Sequence, residues 1–181
     1  AYTVQFHVAL YMQLGRIVSA PHTASSMIQD FKDCEQATDN SRHTYFVKSE
    51  YTCAYSKGDF THSGINANFS LFKVTWQEMY KSIQRCNTFL KYYKDSPLSE
   101  KKKESLAAEA RFLRAFYYFH LLRNYGGVPV LYDEVLDPFG KEYVLRSTFE
   151  ETVNYLAEEF TASAAALPLE QSGIEYGRPT R

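Results

Sequence analysis

The most regular alternation of apolar and polar positions lies between residues 99 and 124. Leu106, Ala110, Leu113, Tyr117 and Leu121 follow one another at steps of 4, 3, 4 and 4, the spacing that lines one face of an α-helix. A second line, Ala108, Phe112, Ala115 and Phe119, covers another face, so this helix is predicted to be packed on two sides. Ser99 caps its start, with Glu100 and Glu104 near the positive end of the helix dipole. Gly126 or Gly127 provides a left-handed stop, and Pro129 forbids continuation.

Three further segments carry the same period. Trp76, Met79 or Tyr80, Ile83, Asn87 and Leu90 predict a helix from about 70 or 75 to 94, and Thr75-Trp76-Gln77-Glu78 has the form of a capping box. The short turn Asp95-Ser96-Pro97-Leu98 makes it an antiparallel neighbour of the helix over 99–124, so the two form a hairpin. Downstream, Ser147-Thr148-Phe149-Glu150 is a second capping box, followed by Phe149, Val153, Leu156, Phe160, Ala164 and Leu167 at helical spacing and closed by Pro168. Val4, Val8, Tyr11, Leu14 and Val18 predict a helix over residues 3–19, closed by Pro21.

Periodicity is lost over residues 21–69, which are rich in Ser, Thr, Asn, Asp and Gly, with short extended pieces expected at Tyr45 to Val47 and Tyr51 to Tyr55. A connection this long inserted in a compact domain is usually functional. Val128 to Arg146, with Pro129, Pro138 and Gly140, is a second non-helical connection. The expected fold is therefore all-α: antiparallel helical hairpins stacked as an αα-superhelix, tetratricopeptide-like in kind, although the regular period of roughly 34 residues is not present. The apolar stripe of the last helix needs a partner. Either it docks on the preceding hairpin, or Gly177-Arg178-Pro179-Thr180-Arg181 introduces a further helix and residues 1–181 are the N-terminal part of a larger helical domain.

Composition narrows the function classes. Against 20 Lys and Arg stand 21 Asp and Glu, a formal net charge of −1, and the basic run Lys101 to Lys103 is followed at once by Glu104. That balance offers no electrostatic reason to bind nucleic acid. No stretch approaches the roughly 18 apolar residues of a membrane-spanning helix. Cys34, Cys53 and Cys86 stand far apart without histidines at ligand spacing, so no metal site is written, and either one disulfide or three free thiols fits.

Catalytic chemistry is equally thin. His7, His22, His43, His62 and His120 show no metal-binding spacing, and no nucleophile elbow is present. His120 is expected to be a hydrogen-bonded core residue. Glu150/Glu151 and Glu158/Glu159 evoke the paired carboxylates of a glycosidase, but adjacent residues on a helix do not face each other. Glu150 is better explained by its capping box and the others by a solvated helix face. Gly126-Gly127 lacks the third glycine and flanking strand of a dinucleotide fold. Arg111 and Arg114, one turn apart on a crowded helix, are expected to be ion-pair anchors. No cofactor is expected.

The aromatic content is the informative excess: 15 Tyr, 13 Phe and 1 Trp, 16% of the chain. Tyr45, Phe46, Tyr51, Tyr55 and Phe60 lie on the long loop among Ser, Thr, Lys, Asp and Asn. Aromatic faces stack on the C–H face of a pyranose while short polar groups meet its hydroxyls. Tyr45, Tyr51, Tyr55 and Phe60 are therefore the candidate ligand-binding residues, the alternative being that these rings pin the loop to the helices.

Several blocks resemble the SusD/RagB family of outer-membrane nutrient-binding lipoproteins. They are Trp76 to Asn87 (Trp-Gln-Glu-Met-Tyr-Lys-Ser-Ile-Gln-Arg-Cys-Asn), Glu109 to Phe119 (Glu-Ala-Arg-Phe-Leu-Arg-Ala-Phe-Tyr-Tyr-Phe), Tyr125-Gly126-Gly127-Val128-Pro129, Arg146 to Glu150, Ala164 to Pro168 and Gly177-Arg178-Pro179-Thr180. Their order and spacing match, closely over residues 70–181 and loosely before. The resemblance implies a tetratricopeptide-like scaffold on the bacterial outer-membrane surface, anchored by a lipidated cysteine outside these residues. It further implies an oligosaccharide or other nutrient as ligand, a SusC-like TonB-dependent transporter as partner, and binding without cleavage. A helical scaffold that binds only proteins, or an all-helical glycoside hydrolase, are the alternatives.

Overall fold

The computed structural model describes residues 2–11, 71–137, 140, 143–171, 173 and 176–181, with the backbone alone for 71–75. The chain divides into two compact units: Ala1–Met12 with Trp76–Arg181, and Gln13–Thr75. Of the second unit, only the helical backbone of residues 71–75 is described. Among the described residues the regular structure is all helical, as expected: α1 (Tyr2–Leu10), α2 (Leu71–Tyr92), a 3₁₀ turn (Tyr93–Asp95), α3 (Glu100–Tyr125) and α4 (Phe149–Ala166). None of the described helices is long and apolar enough to cross a membrane.

Helices α2 and α3 form the predicted hairpin. Asn87 meets Arg114, Tyr80 meets Tyr118 and Trp76 meets Tyr125, an order that only an antiparallel pair produces. The stripe read along α3 is the core: Leu106, Ala110, Leu113, Tyr117 and Leu121 are all buried. Burying such a side chain contributes about 1.5–3 kcal/mol. The start of α3 follows expectation only in part. Ser99 is the N-cap, but its backbone carbonyl, not its side chain, accepts from Lys102 and Lys103. At the other end Gly126 adopts φ +72° and its N–H closes on Leu122, the backbone conformation that favours glycine.

Helix α4 docks antiparallel on α3 through a face different from the predicted one. Leu156 and Leu167 are buried, but Phe149 is 60% exposed, whereas Thr152, Tyr155, Glu159 and Ser163 face the core. The capping box is also shifted by one residue. Thr148 Oγ1 accepts from the Glu151 N–H, while the Glu151 carboxylate accepts from Thr148, so Glu151 takes the role expected of Glu150. The Thr75 box does not start a helix, because α2 is already helical from Leu71.

Helix α1 lies beside the hairpin, with His7 and Leu10 buried and Val8 exposed, so the Val4/Val8 stripe is not its packing face. Thr3 bonds Ser96 and Tyr117 donates to the Leu10 carbonyl; α1 therefore runs parallel to α3. The remainder of the predicted helix over residues 3–19, and the extended pieces near Tyr45 and Tyr51, lie outside the described residues.

Candidate functional site

The connection from α3 to α4 is held against the hairpin by side chains from both sides. Tyr80 donates to the Pro129 carbonyl at 2.7 Å, Gln84 Nε2 to Leu136 at 2.9 Å and Asn87 Nδ2 to Glu134 at 2.7 Å. The Leu131 N–H donates to the Tyr118 hydroxyl, and the exposed Arg146 guanidinium donates to the carbonyls of Tyr125 and Gly127. Gly127 passes so close to the entry of α4 that a Cβ would sit 2.4 Å from the Ser147 carbonyl oxygen. Tyr125-Gly126-Gly127-Val128-Pro129 is thus a crossing of two backbones, which explains the second glycine as the C-cap explains the first.

Two hollows lined by described residues lie beside this bracing. One, about 1140 Å³, is lined by the end of α2, the start of α3, the end of α4 and the connection; its polar groups include Asn87, Lys91, Glu104, Arg111, Asp133 and Glu134. The other, about 860 Å³, runs along α2 from Trp76 to Thr88, with Phe6, Leu131, Leu136 and Asp137 completing its wall. Both are within or near the size range of small-molecule sites. Sequence reasoning missed them because their walls come from separate segments, although the polar residues spaced along α2 were visible as a departure from a purely apolar stripe.

Between helices α3 and α4 sits a buried charged cluster. The Arg114 guanidinium, 1% exposed, donates to Asn87 Oδ1 at 2.8 Å, the Tyr132 carbonyl at 2.9 Å, Asp133 Oδ1 at 2.7 Å and Glu159 Oε2 at 2.7 Å. Arg111 holds the other Glu159 oxygen at 2.8 Å. The arginines are ion-pair anchors, as expected. Glu159, however, is a buried structural carboxylate and not part of a solvated face. Both of its oxygens are bound to guanidinium groups, and its neighbour Glu158 is exposed; the two do not form an acid and base flanking a substrate.

A second buried carboxylate, Glu109, accepts from the Tyr11 hydroxyl, lies 3.4 Å from His7 Nε2 and faces Arg178 at 3.7 Å. Burial, then the positive charges of Arg178 and Lys102, lower the His7 pKa to about 4, so His7 is neutral at pH 7. His120 packs against Phe116 at 4.6 Å, and its burial, then Arg123, lowers its pKa to about 4. It is a core residue, but neither ring nitrogen finds a hydrogen-bond partner, unlike the expectation. Burial pushes the Cys86 thiol up to about 12 and leaves it an inert core side chain. Among the described residues, no cluster of His, Cys, Asp and Glu has the makings of a metal site. Tyr45, Phe46, Tyr51, Tyr55 and Phe60 lie outside the described residues, as do Cys34 and Cys53.

The described residues form an all-helical frame of tetratricopeptide type with clefts along its helices. The chain belongs to the SusD-like family described as starch-binding and associating with the outer membrane, which matches residues 10–181. Solved structures similar to it include a SusD-like protein of Bacteroides fragilis (24% identity over 98% of this chain and 31% of that one, TM-score 0.74). A laminarin-binding SusD-like protein is similar too (20% identity, 99% and 36%, TM-score 0.78), as is a SusD-like carbohydrate-binding protein of B. fragilis (25%, 98% and 34%, TM-score 0.72). The chain spans about a third of the length of these proteins. No curated protein matches it in sequence.

Proposed function

We propose that residues 1–181 are the N-terminal part of a cell-surface glycan-binding protein that captures oligosaccharides and passes them, uncleaved, to a SusC-type TonB-dependent transporter. The observation that carries this reading is the family match over residues 10–181. Similarity to a laminarin-binding and to a carbohydrate-binding SusD-like protein supports the glycan class. A lipid anchor outside these residues holds the protein at the outer-membrane surface. The loop over residues 21–69 supplies Tyr45, Tyr51, Tyr55 and Phe60 as stacking and hydrogen-bonding groups, because Tyr offers an apolar face and a polar rim together.

Two measurements test the two halves of the proposal. Affinity purification of the full-length tagged protein from detergent-solubilised outer membranes should bring down a TonB-dependent barrel at near-equal stoichiometry; a soluble cytoplasmic partner and no barrel would replace transport with a protein scaffold. Retention in polysaccharide-containing native gels should fall on Tyr51→Ala with Tyr55→Ala, and no new reducing ends should appear on incubation. Reducing ends released at the rate of binding would establish a hydrolase instead.

A further inference from the structure

The outward face of α2 carries chemistry that the packing does not consume. Trp76, Tyr80, Gln84 and Thr88 recur every fourth residue and are all half-buried, while Gln77, Lys81 and Arg85, each one position on, are exposed. All seven line the 860 Å³ groove. The core of the hairpin is built from other positions on this helix: Met79, Ile83, Cys86 and Phe89. We propose that this groove is a glycosyl subsite, taking pyranose units of a neutral oligosaccharide along α2. The inference rests on the glycan-binding reading and adds to it a contact on the helical frame, carried by a different stretch of chain from the loop aromatics.

Ring chemistry supplies the first argument. Trp76 and Tyr80 lie 5.0 Å apart with planes inclined at 43°, and Trp76 is braced edge-on by Tyr125 at 5.0 Å. Such a pair is rigid before any ligand arrives, which lowers the ordering cost of binding. Hydrogen-bonding capacity supplies the second. The Tyr80 hydroxyl already donates to Pro129 and the Thr88 hydroxyl to the Gln84 carbonyl, so both remaining lone pairs are acceptors; Gln77, Lys81 and Arg85 bring donors. A sugar hydroxyl needs both kinds of partner.

Charge supplies the third argument. Lys81 is paired with Glu78 at 2.7 Å, and Asp137 stands on the same groove as Arg85. With both signs present, the groove has no electrostatic preference for a strongly anionic or cationic ligand, and a neutral glycan suits it.

The test uses the full-length protein labelled with 5-fluorotryptophan, the Trp76 ¹⁹F resonance being assigned by its loss in Trp76→Phe. Retention is first measured in native gels containing α-glucan, β-glucan, fructan, mannan or xylan. The oligosaccharide of the retained polysaccharide is then titrated. The subsite predicts a saturable shift of the Trp76 resonance, and an affinity about threefold to tenfold weaker in Gln77→Ala or Thr88→Val, with unchanged circular dichroism. Retention with a silent Trp76 resonance, or with affinity untouched in both variants, overturns the subsite and leaves the glycan reading standing. No retention with any of the five polysaccharides overturns both.

Discussion

Replacing Arg114 by methionine is the sharpest test of how this fold is held. The guanidinium is 1% exposed and supplies four hydrogen bonds, to Asn87, the Tyr132 carbonyl, Asp133 and Glu159. Methionine keeps much of the volume but removes the charge. Asn87 Oδ1 then loses its donor, and Glu159 keeps only Arg111, whose side chain is 43% exposed. Breaking a buried pair by removing one partner costs about 3–5 kcal/mol, because the remaining charge stays desolvated. A domain's whole stability is about 5–15 kcal/mol, so the variant should unfold at markedly lower urea, followed by far-UV circular dichroism. Arg111→Met, which takes one bond from a partly solvated side chain, should cost about 1 kcal/mol. The double variant Arg114→Met with Glu159→Leu should be more stable than Arg114→Met alone, since no buried carboxylate stripped of its main guanidinium partner is left. A loss below about 1 kcal/mol for Arg114→Met, or strict additivity with Glu159→Leu, would refute the assignment of this cluster as a coupled unit.

Gly127→Ala should be more damaging than Gly126→Ala, because its Cβ would run into the backbone of Ser147 to Phe149 while that of Gly126 meets nothing; thermal melts should show a loss of about 1–3 kcal/mol for Gly126, whose φ +72° and ψ −144° suit only glycine, and a larger loss for Gly127. Thr148→Ala removes the cap of α4 and should cost about 1 kcal/mol in the same melts. His7 and His120 have folded pKa values near 4 against an ordinary 6.5, so the unfolded chain binds more protons between those limits. Their contribution is complete above pH 6.5 and is lost as pH falls toward 4, up to about 3 kcal/mol for each. His120→Leu should therefore flatten the fall of the urea midpoint across that window, and an unchanged slope would show that the ring is not held neutral.

The parts of the fold that were legible in the sequence are those where hydropathy alone decides the packing. The α3 stripe from Leu106 to Leu121 is buried as read, because apolar residues at helical spacing have only one favourable place to go. The capping signal at the start of α4 was ambiguous for a definable reason. Ser147 and Thr148 each have a glutamate three residues on, and only the fold distinguishes them. Thr75 matches the same short pattern inside a helix that had already begun at Leu71. The candidate ligand residues Tyr45, Tyr51, Tyr55 and Phe60 carry suitable chemistry but no period that would place them. The α2 groove became visible only when Leu131, Leu136 and Asp137 were set opposite Trp76 to Thr88.

The inward faces of α1 and α4 differ from their apolar stripes because polar residues occupy the inside. Glu159 is unfavourable in a core by itself, and no hydropathy pattern registers that its partners, the two arginines, stand on α3; His7 is buried as a neutral ring beside Glu109. Once the partner is supplied, burial of Glu159 does what an apolar side chain cannot. A slide of α4 by one turn, about 5.4 Å, would carry Glu159 out of reach of both guanidinium groups. Tyr155 and Leu156 bury apolar surface between α4 and α3, and the bonds from Glu159 to the two arginines fix the register in which α4 is held.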